Sequence, residues 1–319
     1  MNARIGELAA LGTAVSWTVA ALVMEQAVRR VGVMAVNTLK VAFGTLYLAL
    51  LAFMLNGQFF PTDLSMRAWV FLGASGLVGF VIGDYFLLHA YSLVGSRMAM
   101  LLMSLSVPLT ALGGLVLFGE RPGSWALAGI ALCVTGISLT VMAGRTGSAA
   151  SYGPLPTDDP AHTAGANSSA RALIRSGYRK GIVFGILSAV AMAAATLLTK
   201  SGAAGVNPVS GTQIRIISAL SGFILFALFT GKTGEVSAAL RHRTGLPLIA
   251  LGGLFGPFIG VGCLLFALQH AEAGVVSTLS SLTPVLIIPP SILLFGRRVS
   301  PVEILGACLA VCGLALLFL

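Results

Sequence analysis

An offset of 177 residues maps the middle of this chain onto its end. Six glycines fall on glycines without a gap: Gly76 on Gly253, Gly79 on Gly256, Gly83 on Gly260, Gly119 on Gly296, Gly129 on Gly306 and Gly136 on Gly313. Between them Ala90 meets Ala267, Ser104 meets Ser281, Phe118 meets Phe295 and Arg121 meets Arg298, while Pro108 falls one place off Pro284. The opening of the chain repeats at an offset of 175, placing Gly6 on Gly181, Ala14 on Ala189, Leu22 on Leu197 and Lys40 on Arg215. The offset grows by two after the second apolar run, in a loop, where insertions are tolerated. A duplicated chain has to fold as two copies of one unit, so the repeat comes before any choice of fold.

Each copy holds five apolar runs. They cover about 5–28, 34–56, 67–94, 97–119 and 125–143, then 180–202, 208–230, 246–271, 275–295 and 301–319. Hydrophobic residues make up 57% of the chain and charged residues 9%, far below the charge a soluble domain carries. The runs therefore read as spans in lipid. Each is long enough to cross the hydrocarbon as a helix, at about 20 residues and 1.5 Å per residue. Helix is required because lipid offers no partner to a free backbone group. Arg4 and the first run have the look of a signal peptide, but that run exceeds a signal core of ~7–15 residues, lacks a cleavage site and recurs at 181–205. It belongs to the fold.

The expectation is an all-α membrane protein of ten transmembrane helices. Residues 1–143 form the first repeat and 179–319 the second. Between them 144–178, rich in Ser, Gly, Pro and Ala, reads as a flexible linker. An odd number of spans per copy turns the second copy upside down, giving two inverted five-helix repeats. Many secondary transporters are built this way, with a site near mid-membrane between the repeats. The shared glycines let helices pack closely.

The net charge of +9 does not point to nucleic acid. Aromatics are not interleaved with the basic residues, which sit between spans, so lipid headgroups are the anionic neighbour. Cys133, Cys263, Cys308 and Cys312 all lie in apolar runs, with no C-x-x-C and no zinc spacing; they read as packing thiols. Neither a metal nor a cofactor is called for. Of the nineteen Lys and Arg, four (Arg4, Arg67, Arg121, Lys200) fall on the side holding the termini, thirteen on the other, and Lys40 and Arg215 within spans. Basic loops favour the cytoplasm, which puts both termini outside.

Ionisable groups inside spans are costly and mark sites by default. Asp84 lies deepest of the acids; Glu25 and Glu303 read as span-end residues. Burial raises a carboxyl pKa, making Asp84 the candidate proton carrier and substrate ligand; a structural cap, or a pair with Arg97, is the bland alternative. Tyr85 and His89 share a face one turn on. Lys40 and Arg215 sit about two turns into their helices, with Asn37 and Gln213 near them as further lining residues. Glu25 is expected to pair with Lys40, and its counterpart Lys200 leaves Arg215 without such a partner. Trp17 stands mid-helix, where its indole N–H needs an acceptor. Pro108 and Pro284, with Pro289 and Pro290, are expected to interrupt helices, as hinges or as passive bends.

Gly83-Asp84-Tyr85-Phe86, Gly95-Ser96-Arg97-Met98-Ala99, Pro108 and Phe118-Gly119-Glu120-Arg121 resemble the drug/metabolite transporter superfamily, EamA type. The second copy is similar, from Leu268-Gln269-His270-Ala271 through Pro284 to Phe295-Gly296-Arg297-Arg298, and so is the basic residue in each second helix. Arg297 departs from the pattern where Glu120 supplies an acid. The resemblance implies two inverted bundles around a central cavity, carrying small metabolites and often exporting them, with termini in the cytoplasm. On the termini it opposes the charge count.

An intramembrane enzyme is the rival class, but H-E-x-x-H, G-x-S-x-G, a phosphate loop and a close pair of deep carboxylates are all missing from the sequence. A passive channel would show rings of repeated charge or a carbonyl filter. An organophosphate or nucleotide-sugar exchanger needs several cavity cations, and Lys40 and Arg215 supply two. The reading is a secondary carrier, working by alternating access on a small polar metabolite such as an amino acid or related carboxylate. Its partners are that small molecule and the lipid bilayer of a bacterial plasma membrane. The sequence sets no oligomeric state.

Overall fold

The computed structural model describes residues 2–57, 59–61, 64–119, 123–147, 168–270, 273–280, 282–295 and 300–316. Among these, the regular structure is helical throughout. In chain order the helices are α1 (Asn2–Val31), α2 (Val33–Asn56), α3 (Met66–Gly76), α4 (Tyr85–Met103), α5 (Ser106–Phe118), α6 (Ser124–Gly147), α7 (Ser168–Gly202), α8 (Pro208–Phe229), α9 (Thr233–Leu240), α10 (Gly245–Gly253), α11 (Val261–His270), α12 (Ala273–Ser280), α13 (Thr283–Leu286), α14 (Ile288–Phe295) and α15 (Pro301–Leu316). A π-helical turn, Leu77–Asp84, joins α3 to α4, and a second, Leu254–Gly260, joins α10 to α11. The two π turns start 177 residues apart, the spacing of the sequence repeat. The duplicated glycines thus carry a duplicated backbone irregularity.

Among the described residues, seven helical stretches are long and apolar enough to cross a membrane, and Thr283–Leu294 and Pro301–Leu316 are shorter apolar helices. One of the seven, Met66–Phe118, runs 53 residues, more than twice what one crossing needs. Gly95 breaks it, with φ 80° and ψ 162°, a conformation open to glycine at little cost. The outside of the bundle is apolar: Met54, Val116, Leu293 and Phe229 are more than three-quarters exposed. Polar side chains such as Glu25, Asn37, Ser75 and Ser188 are instead fully buried. Such a surface suits lipid and would be a large aggregation patch in water.

The first helix of each half packs along the third-helix region of the other. Helix α1 runs antiparallel to α10, the π turn and α11: Gly245 faces Val31, Gly252 faces Met24, Gly256 faces Ala20, Gly260 faces Trp17, and Cys263 faces Gly12. Helix α7 does the same along α3, the other π turn and α4. There Gly202 faces Phe71, Gly79 faces Ala195, Gly83 faces Ala191 and Gly181 faces Val94. The Ser75 hydroxyl donates to the Ala195 carbonyl at 2.8 Å and lies 2.6 Å from the Thr199 hydroxyl. Small residues let the backbones approach, and hydroxyls bond across the gap.

Equivalent helices also pair with each other. Gly136 of α6 lies against Gly306 and Ala310 of α15, and Gly313 lies against Gly129 and Cys133, so the two run antiparallel. Helix α2 meets α8 likewise: Gly44 faces Ile216, and the Gln213 amide donates to the Leu48 carbonyl at 3.5 Å.

Pro108 and Pro284 fall where helices are interrupted, as expected. Helix α4 ends at Met103, and Pro108 stands in the first turn of α5; Pro284 likewise opens α13. Each begins a helix after a break instead of bending a continuous one. The carbonyls that proline cannot bond are taken locally: Ser104 O accepts from Val107 N at 3.2 Å, and Ser280 O accepts from the Thr283 hydroxyl at 3.0 Å. Helices α6 and α7 extend into both ends of the segment expected to be a linker, whose residues 148–167 lie outside the described ones. Of the thiols, Cys133 is buried, but Cys308 and Cys312 are exposed on the outer face of α15, so not all of them pack inside.

A methyl at Gly136 would strike the Gly306 carbonyl and Ala310 backbone, while one at Gly262 meets nothing within 4 Å. Gly136→Ala should therefore lower stability by about 1–3 kcal/mol. Gly262→Ala should be neutral or stabilising by up to about 1 kcal/mol. Thermal unfolding of the two variants in detergent checks the contrast.

Candidate functional site

The interior polar groups gather around the first π turn. A π turn adds a residue to the helix and opens its hydrogen-bond ladder, and such turns recur at functional sites. Asp84 is its last residue. Its Oδ2 accepts from Lys40 Nζ on α2 at 2.8 Å, with both side chains 11% exposed. The cap or Arg97 pairing that competed for Asp84 is not what forms.

Arg215, the counterpart of Lys40, comes in from α8. Its guanidinium lies over the Phe80 ring, 5.5 Å from the centroid, within electrostatic reach of Asp84. Its Nε is buried without a hydrogen-bond partner, and no described residue hydrogen-bonds or ion-pairs with the group. Glycines bring both cations in. A methyl at Gly76 would collide with the Arg215 backbone, and one at Gly253 would press on the Lys40 carbonyl. The two contacts occupy matching positions in the two copies.

Glu25 does not pair with Lys40. Its Oε1 accepts from Arg29 at 3.1 Å, one turn along α1, and its Oε2 accepts from the Ser96 backbone N–H at 2.8 Å. Ser96 is the first residue after the Gly95 break, so a carboxylate from α1 caps the second half of α4. The helix-terminal N–H groups and the positive end of the dipole both favour an anion there. Glu25 is fully buried, and Glu303, in the first turn of α15, is 3% exposed, so both lie near helix ends yet inside the bundle. Glu303 of α15 meets Arg97 at 2.7 Å. Arg97, counted among the loop charges, is thus an interior one. Met98, Leu101, Thr140, Pro284 and Ile288 surround this pair in a small cavity.

The remaining sequence candidates separate. Asn37 is fully buried one turn from Lys40, and neither amide atom has a partner among the described residues. Gln213 bonds the carbonyls of Leu48 and Phe59, fastening α8 to the end of α2 and the loop beyond. Tyr85 and His89 do share a face, with rings 4.3 Å apart. Tyr85 also stacks edge-on against Phe226 and His89 against Phe184, which is interhelical packing. His89 Nδ1 is 2.8 Å from the Tyr85 carbonyl. Trp17 is half-buried with its indole edge on Gly260, a packing contact. Among the described residues no group of three metal-ligating side chains occurs.

Sequence reasoning missed the Glu25–Ser96 cap and the Arg97–Glu303 pair. A glycine followed by serine inside an apolar run was the one available sign of the cap. The second pair joins residues over two hundred positions apart and left no local trace.

An apolar exterior around a buried set of charges defines a membrane protein with a polar interior, and comparison with known proteins agrees. The model of the EamA-like transporter family matches residues 4–142 and 179–319, once per repeat. The chain belongs to the EamA-like transporter family, within the drug/metabolite transporter superfamily, and is an integral multi-pass membrane protein. No curated protein matches it. Seventeen chains of solved structure do. One crystal structure covers 98% of this chain and 94% of its own at a TM-score of 0.62 and 20% identity, a likeness of fold alone.

Removing one partner of a buried ion pair strands the other charge, at about 3–5 kcal/mol, whereas replacing both by apolar groups is often close to neutral. Lys40→Met and Asp84→Leu should each destabilise strongly. The double variant should recover most of the loss, as a double-mutant cycle of thermal unfolding in detergent will read.

Proposed function

We propose that the chain is a secondary carrier, an exporter in a bacterial plasma membrane, which moves a small polar metabolite such as an amino acid or related carboxylate by alternating access. The observation carrying this reading is the Lys40–Asp84 pair with Arg215 beside it, buried where two π turns face the second helices of opposite halves. Charges so placed are costly in a membrane and are kept where something polar has to pass.

The architecture proposed is ten crossings in two inverted repeats. The long Met66–Phe118 stretch counts as two crossings, and α12 to α14 as one. Antiparallel packing of α6 on α15 and of α2 on α8 supports the inversion. Residues 1–143 and 179–319 are the two moving units, joined by 144–178. Pro108 and Pro284, in the first turns after two helix breaks, serve as hinges. Lys40, Asp84 and Arg215 hold the substrate, and Asp84 carries the proton that couples export to the pH gradient.

Reconstituted vesicles preloaded with one compound should take up the same labelled compound faster than empty ones. Saturable trans-stimulation of this kind belongs to a carrier; unsaturable flux would mean a channel. Asp84→Asn should slow exchange and abolish accumulation driven by a pH gradient. Undiminished accumulation in that variant would end the proton assignment.

A further inference from the structure

We infer that the interior site selects a small organic anion with one negative charge, a monocarboxylate, over a net-neutral zwitterion. The inference rests on the carrier reading and narrows its substrate.

It follows from charge and its distribution between the copies. Lys40 and Arg215 occupy equivalent positions, so both halves bring a cation to the interior. Only the first half brings an acid at the matching place: the residue equivalent to Asp84 is Val261. Asp84 is engaged by Lys40 at 2.8 Å. Arg215 has the Phe80 ring and the field of Asp84, but no hydrogen bond or ion pair to a described residue.

The other buried acids are taken. Glu25 accepts from Arg29 and Ser96, and Glu303 meets Arg97. The three central groups therefore sum to one positive charge, which sits on a guanidinium with a buried, unbonded Nε. Arg215 is only partly buried, so its guanidinium can be reached, and a cation held in the interior without an anionic partner is neutralised by one incoming negative charge. A dianion overshoots. A zwitterion brings an ammonium whose natural acceptor, Asp84, is already bound to Lys40. The planar fork of arginine fits a carboxylate through two parallel hydrogen bonds, which favours this anion over a spherical one. Phe80 offers apolar surface beside it for the body of the acid.

The test is thermal unfolding of the purified full-length protein with a size-graded panel of monocarboxylates: acetate, lactate, pyruvate and benzoate. Controls are the matching amides, the zwitterions alanine and phenylalanine, and chloride. At least one monocarboxylate should raise the melting temperature saturably, with its amide and the zwitterions inert. Arg215→Gln should weaken half-saturation by about tenfold or more, and Arg215→Lys by less. Equal stabilisation by amides, zwitterions or chloride overturns the inference, as does an Arg215→Gln response like wild type or a panel without effect. Should Arg215→Gln fail to fold, the acid-against-amide comparison on the wild type decides alone. A protein that exchanges zwitterions and ignores monocarboxylates keeps the carrier reading and ends this inference. One stabilised by monocarboxylates yet lacking saturable flux does the reverse.

Discussion

The interior depends on two backbone contacts, α8 against Gly76 and α2 against Gly253. At Gly76 a single methyl would collide with the backbone of α8, and at Gly253 it would press tightly on α2. Lipid tails gain nothing from sending apolar side chains inward, so helices in a membrane are held by close packing and by hydrogen bonds across the gap. A larger residue at either glycine would move Lys40 or Arg215 outward with its helix. The 2.8 Å bond to Asp84 depends on that spacing. Helices α1 and α7, each lodged against the opposite half, keep the π turns in place from the other side.

The ion pairs then tie together elements that apolar packing alone would leave free to slide. Lys40–Asp84 joins α2 to the first π turn, Glu25 joins α1 to the broken α4, and Arg97–Glu303 joins α4 to α15. Each is buried, so none owes its strength to a solvated surface. Replacement by well-packed apolar groups would often be as stable, so what these pairs supply is directional: each fits one partner in one register. The Glu25 contact shows this best. Gly95 ends one helix and Ser96 starts another, and the exposed N–H is met by a carboxylate from a different helix.

Much of this was legible in the chain. The 177-residue offset marked the recurring glycines that admit close backbone contact, while the π turns that form among them had no sign in the sequence. The apolar runs showed where helices lie, since lipid imposes the run length, but not where they break: the run 275–295 folds as three short helices and the run 97–119 is interrupted after Met103. Lys40, Asp84 and Arg215 stood out as charges in apolar surroundings. Partner choice did not. Glu25 and Lys40 looked adjacent on a hairpin, but pairing depends on which face each helix turns inward, and α1 turns its acid toward α4. Depth misled as well. Glu25, Arg97 and Glu303 lie near span ends in sequence, yet helices broken at Gly95 or started at Pro301 have ends inside the bundle. Trp17, Tyr85 and His89 stood out because polar atoms in a span draw attention, but the sequence did not show the ring contacts that Tyr85 and His89 make with Phe226 and Phe184.

The departures from symmetry carry as much meaning as the repeat. Lys40 answers Arg215, but Asp84 answers Val261 and Phe80 answers Pro257. The first half thus supplies both the acid and the aromatic ring on which Arg215 lies, while Pro257 packs on Gly44 instead. A perfectly symmetric duplicate would hold two cations with two acids and could satisfy itself, leaving no reason to bind anything. The lack of an acid at Val261 does not alter the frame, because the backbone contacts that position the cations come from the glycines and not from the charges. It leaves the interior short by one negative charge. In a medium where such a deficit cannot be screened, the monocarboxylate preference inferred above follows from the protein's own imbalance: an occupant that supplies the charge would be favoured over an empty site.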